Sequence, residues 1–117
     1  MKPISKIFSV YLLIILFTLL VNSSFGQITV KHFNAGWNES NGIDWISELT
    51  DVKTKSYIDI GENMEAQKEY EISSIPTIII FKDGEEVARF QADLSFKMVA
   101  TKEEVQEEID EQLMSDF

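Results

Sequence analysis

The chain has 117 residues, with 20 acidic against 10 basic side chains, no cysteine and a formal net charge of −10. That is room for one domain, and the acidity excludes the basic surface with which nucleic-acid binders displace phosphate counterions. Without a thiol there is no disulfide, thiolate nucleophile, zinc-thiolate site or iron-sulfur cluster, and the single histidine, His32, leaves metal binding almost wholly to carboxylates.

The first segment reads as targeting. Lys2 and Lys6 precede an apolar run from Ile7 to Val21 that is broken by Ser9 and Thr18, and a polar stretch, Asn22-Ser23-Ser24-Phe25-Gly26, follows at once. This is the order of a secretory signal peptide, with small residues Ser24 and Gly26 at the third and first positions before a cut after Gly26. The competing reading is an uncleaved anchor, but the run falls short of the roughly 20 apolar residues that span a bilayer core. Residues 1–26 are therefore expected to be a signal peptide and 27–117 the folded domain, exported to a periplasm or the exterior with no stable membrane insertion after cleavage. Losing two lysines and no acids takes the net charge from −10 to −12. No cysteine is present to carry a lipid anchor.

In the remaining chain, Gln27 to Ala35 is β-rich around Ile28, Val30 and Phe33 and reads as a strand ending before Gly36. Ile43, Ile46 and Leu49 recur every three residues beside Trp45, which predicts a short amphipathic helix over Ser40 to Leu49, with Asn38, Ser40 or Asn41 as its cap. A second strand is expected over Thr54 to Ile60, and a helix over Met64 to Glu71 capped by Asn63. Thr77 to Phe81 is a nearly continuous β-branched run, the mark of a strand buried on both faces. Asp83-Gly84 then signals a tight hairpin into a strand over Val87 to Gln91. Thr101-Lys102-Glu103-Glu104 has the form of a capping box, and Val105, Ile109 and Leu113 give the inner face of a last helix. Its acids, Glu103, Glu104, Glu107, Glu108, Asp110 and Glu111, lack the spacing of a calcium loop and read as a solvated face.

The resulting βαβαββα order predicts an α/β fold: a mixed four-stranded sheet whose first two strands are parallel through a right-handed crossover, flanked by helices. Ile75-Pro76-Thr77, followed by Ile78-Ile79-Ile80-Phe81-Lys82-Asp83-Gly84-Glu85, resembles the thioredoxin segment around its cis-proline and hairpin. Tyr57-Ile58-Asp59-Ile60 and Tyr70-Glu71-Ile72 stand at thioredoxin-like distances before that proline. The resemblance to the thioredoxin superfamily implies a thioredoxin-like fold in which the amino-terminal strand and helix of a full thioredoxin are absent. It also marks a departure. Thioredoxins carry a tryptophan followed by Cys-x-x-Cys, whereas this chain keeps Trp37 and places Asn38 and Asn41 at the cysteine positions. Disulfide exchange needs one sulfur to attack and another to resolve, and a carboxamide does neither. His32 stands where thioredoxins keep a buried acid.

These readings imply no catalytic residue, no metal and no cofactor. The candidate peptide- or ligand-binding residues are Trp37, Asn38, Asn41, Ile75, Pro76 and Thr77: an apolar wall, two amides near a helix start, and the proline turn at which thioredoxin-like proteins pair with extended peptides. The plainer reading is that the asparagines only cap the helix and that His32 is a core histidine. The leading functional expectation is an exported, redox-inactive, protein- or peptide-binding module that is not an enzyme and has no nucleic-acid partner. Its competitors are an accessory or chaperone-like member of a thioredoxin-family redox or folding pathway acting with a cysteine-bearing partner, and a structural domain with no ligand.

Overall fold

Two apolar segments, Ile28–Asn34 and Thr77–Lys82, form the centre of the sheet in the computed structural model, which describes residues 26–115. All of the expected signal segment except Gly26 lies outside the described residues. Strand β1 (Ile28–Asn34) lies beside β2 (Thr54–Asp59) in parallel and β3 (Thr77–Lys82) in antiparallel register. Strand β4 (Glu85–Gln91) pairs antiparallel with β3, so the order across the sheet is β2-β1-β3-β4. This is the mixed four-stranded sheet expected from the sequence, with β2 and β4 at its edges.

The pleat sends alternate side chains of the inner strands to opposite faces. On one face Ile28, Val30, Ile78 and Ile80 pack with Leu49 and with Val105 and Ile109 of helix α2 (Lys102–Met114). On the other, Phe33, Ala35 and Ile79 meet Ile72 and Ile75, from the stretch after helix α1 (Met64–Glu69). Ile78, Ile79 and Ile80 are each fully buried, as a strand covered on both faces requires.

Local signals fix the ends of these elements. Asn63 Oδ1 accepts from the Ala66 N–H at 3.1 Å and caps α1, and Thr101 Oγ1 accepts from the Glu104 N–H at 3.2 Å and caps α2. Asp83 and Gly84 turn the β3-β4 hairpin with φ of 53° and 86°, the doubly left-handed pair of a type I′ turn. The same turn is tied to the start of the domain: the Gln27 N–H donates to Asp83 Oδ1, and the Asp83 N–H donates to the Gln27 carbonyl, both at 3.0 Å. The acidic residues Glu103, Glu104, Glu107, Asp110 and Glu111 line the exposed side of α2.

One element differs from expectation. The α-helix predicted over Ser40 to Leu49 is absent, and two 3-10 turns, Gly36–Asn41 and Ile46–Glu48, take its place. Gly42 is extended at φ −64° and ψ 155° and ends the first turn, and Asn38 departs from helical geometry inside it. Glycine and short polar side chains such as Asn, Ser and Asp make this stretch a poor α-helix, because they either loosen the backbone or compete for its hydrogen bonds. The spacing of three that suggested a helix is the repeat at which a 3-10 turn aligns side chains. It still delivers Leu49 to the core and Ile43 and Ile46 to its margin.

Ile109→Ala, which empties a fully buried position on α2, is expected to lower the free energy of unfolding in urea by about 2 to 4 kcal/mol, while Glu107→Ala on the solvent face should change it by less than about 0.5 kcal/mol.

Candidate functional site

Strand β1 ends in Asn34, and the chain turns back over its own end. Asn34 and Asn38 are buried, at 1% and 3% exposure, so their carboxamides must find partners inside the protein. Asn38 Nδ2 donates to Asn34 Oδ1 at 3.0 Å and to the Phe96 carbonyl at 3.1 Å. Asn34 Nδ2 donates to the Asn38 carbonyl at 3.2 Å, and Asn41 Nδ2 donates to Asn38 Oδ1 at 2.9 Å. Asn38 and Asn41 therefore do not cap a helix. The first turn starts at Ala35 without a side-chain cap, and no α-helix amino terminus exists here to stabilise an anion. Both polar atoms of the Asn38 side chain are occupied by protein.

The Phe96 carbonyl belongs to the loop between β4 and α2, whose shape is set by Asp93. Asp93 Oδ1 accepts from the Ser95 N–H at 2.8 Å, the Ser95 hydroxyl at 2.6 Å and the Lys97 N–H at 3.1 Å. Those bonds, the Ser95 side chain foremost, hold its carboxyl below the usual carboxylate range. Phe96 then adopts φ 64°, a left-handed conformation unfavourable for a bulky side chain, and its ring meets Trp37 edge to face at 5.1 Å.

Trp37 and Phe96 stand at a cavity of about 390 Å³ that is also lined by Met64, Ile72, Ser74 and Ile75. The Ile75–Pro76 peptide is cis. Ile75 is 4% exposed, Pro76 and Thr77 are fully buried, and Thr77 Oγ1 donates to the Ser74 carbonyl at 2.6 Å, bracing the turn. Ser74 Oγ is buried without a hydrogen-bond partner among the described residues.

Of the six residues singled out from sequence, Trp37 and Ile75 thus share one cavity. Asn38 and Asn41 are committed to the network that holds the Phe96 loop, and Pro76 and Thr77 form the turn. Met64, Ser74 and Phe96 join the site without having been singled out. Nothing local marked Phe96, which follows Leu94 and Ser95 in a loop where apolar and polar residues are mixed.

His32 is buried at 6% exposure and meets Tyr57 edge to face at 5.2 Å, while its Nε2 has no partner among the described residues. Burial disfavours the imidazolium and lowers its pKa from 6.5 to about 4.

The thioredoxin family profile matches residues 44–111, more than half of the chain, including the Pro76 turn, the hairpin and most of α2. The chain belongs to the thioredoxin family. A 43-residue stretch is 62% identical to a thioredoxin from Chlamydia pneumoniae, covering 37% of this chain and 41% of that protein, so the match spans about two-fifths of the relative. Among solved structures, a mutant thioredoxin from Halobacterium salinarum superposes with a TM-score of 0.58 at 20% identity, over 74% of this chain and 75% of that one. Thioredoxin-2 of a malaria parasite, described as a component of its protein secretion machinery, gives 0.56 at 17% identity, over 74% and 84%. At such identities the two structures establish the fold alone. This thioredoxin-family domain contains no cysteine.

Two outcomes follow for stability. Asn38→Ala leaves the Asn34 and Phe96 oxygens without their donor in a buried setting and is expected to cost about 1 to 3 kcal/mol in urea unfolding. For His32, the unfolded chain takes up the proton first, at 6.5, so its contribution is complete above that pH and is lost as pH falls toward 4, by about 3 kcal/mol. Urea titrations across this range should show the slope in the parent protein and a flatter one in His32→Gln.

Proposed function

We propose that this thioredoxin-family domain is an exported binding module, without disulfide oxidoreductase activity of its own, that holds an extended protein or peptide segment beside the Ile75–Pro76 turn. The observation that carries the reading is a cluster of large apolar side chains left in water. Trp37, Phe96 and Met64 are 69%, 43% and 67% exposed, and all three line the cavity of about 390 Å³. Exposed aromatic clusters of this kind mark interaction sites, because covering them removes apolar surface from water.

A segment laid along Ser73 to Ile75 would insert one apolar side chain between Trp37 and Met64. The hydrogen-bonded Phe96 loop supports this by holding one wall in place before any ligand arrives, which lowers the ordering cost of binding. The lack of redox activity rests on chemistry: neither Asn38 nor Asn41 can form or resolve a mixed disulfide. Export to a periplasm or the exterior rests on the charge and hydropathy order of residues 1–26, and a net charge of −12 without that segment favours a partner with a basic surface.

The test is fluorescence anisotropy with a panel of labelled extended peptides that vary one central apolar residue. Trp37→Ala and Phe96→Ala are each expected to weaken binding about tenfold or more, and Glu107→Ala to leave it unchanged. Binding indifferent to both aromatic substitutions would remove the groove from the function, and reduction of insulin disulfides by the purified protein would overturn the redox part.

A further inference from the structure

A larger cavity, of about 610 Å³, opens on the other face of the sheet, above the edge formed by β1 and β2. Two short 3-10 turns cover this part of the sheet where a continuous helix was expected, and they leave a gap. The register of β1 with β2 places His32 and Tyr57 side by side on this face, with Asn34 and Asp59 as the next pair. Ile43 and Ile46 supply apolar walls, and Glu39 and Asp59 bring carboxylates to the same space. The volume falls within the range of small-molecule sites.

Three features describe what could occupy it. First, His32 is 94% buried by its 6% exposure, lines the cavity, and leaves Nε2 without a partner, whereas buried polar atoms are ordinarily paired. Second, the charge here is negative. Asp59, Glu39 and Glu62 all act on the Tyr57 hydroxyl, adding to the effect of burial in raising its pKa. The one basic side chain lining the cavity, Lys55, already donates to the Ser47 carbonyl at 2.9 Å. Third, Asp59 uses Oδ1 to accept from the Gly61 N–H at 2.8 Å, while Oδ2 lies toward Gly36, where a Cβ would stand 3.5 Å away. With its proton on Nδ1, the neutral imidazole offers Nε2 as an acceptor beneath, and with carboxylates around it and branched aliphatic walls the space suits a ligand with N–H donors, positive charge and an apolar body.

We propose that this cavity binds a small organic amine as its ammonium ion, hydrogen-bonded to His32 Nε2, its charge offset by Asp59 and Glu39 and its apolar body set against Ile43, Ile46 and Tyr57. The site is separate from the groove at Trp37 and does not depend on it.

The single histidine makes the test direct, because its imidazole proton signals are unique in the NMR spectrum. The protein is titrated with phenethylamine and, separately, with phenylacetate, a similar body of opposite charge. The expected result is a saturable shift of the His32 signals with the amine and binding at least about tenfold weaker for the acid. Asp59→Asn keeps an acceptor for the Gly61 N–H and should weaken the amine about tenfold, while Trp37→Ala should leave it unchanged. Absence of saturation with phenethylamine, equal response to phenylacetate, or indifference to Asp59→Asn would overturn the proposal.

Discussion

Asn38 donates from one amide nitrogen to two acceptors, four residues back in β1 and 58 residues ahead in the β4-α2 loop. That pair of bonds is the constraint on which this end of the molecule depends. It closes the first 3-10 turn over the end of the sheet and fixes the carbonyl of Phe96, whose ring then meets Trp37. Hydrogen bonds of this sort contribute on the order of 1 kcal/mol each when made, but a buried partner left without one costs more, so the arrangement resists partial dissolution. A cysteine thiol at position 38, a single weak donor, could not supply both bonds. In this member of the family, which has no cysteine, Asn38 is an architectural carboxamide.

The two faces near that point differ in character. One carries the aromatic groove beside the proline turn, in which the walls are apolar and exposed. The other carries the cavity over His32, which exists because the chain between β1 and β2 is too rich in Gly, Asn and Asp to wind into a continuous helix. A continuous helix would have laid its apolar stripe across the same strand edge. The residues that forfeit helical structure are therefore the ones that open space above the sheet.

Much of the fold was legible because its signals are local. The triple isoleucine of β3, the Asp83-Gly84 turn, and the Asn63 and Thr101 caps each act within a few residues, and each element lies within two residues of its predicted bounds. The segment from Gly36 to Leu49 misled because a repeat of three serves a 3-10 turn as well as it serves the face of an α-helix. At the site, Ile75 could be singled out by its place before the proline turn, and Trp37 by the resemblance of Trp37 to Asn41 to the tryptophan and Cys-x-x-Cys segment of thioredoxins. Phe96 could not: its role depends on one hydrogen bond across 58 residues and on a left-handed backbone that its own side chain disfavours. The same holds for Asn38, whose partners decide whether it caps, binds or braces.

The paired bonds between Gln27 and Asp83 also give the domain a direction. They fasten the entry of β1 to the hairpin, at the end of the sheet away from Asn34 and the Trp37 groove. Seven residues of extended strand separate the two ends, about 23 Å at roughly 3.3 Å per residue. A surface attached at Gln27 would hold the domain by its base. The groove then points outward, so immobilisation through this terminus leaves both the aromatic pair and the proline turn open to approach, whereas attachment near Phe96 would bury them.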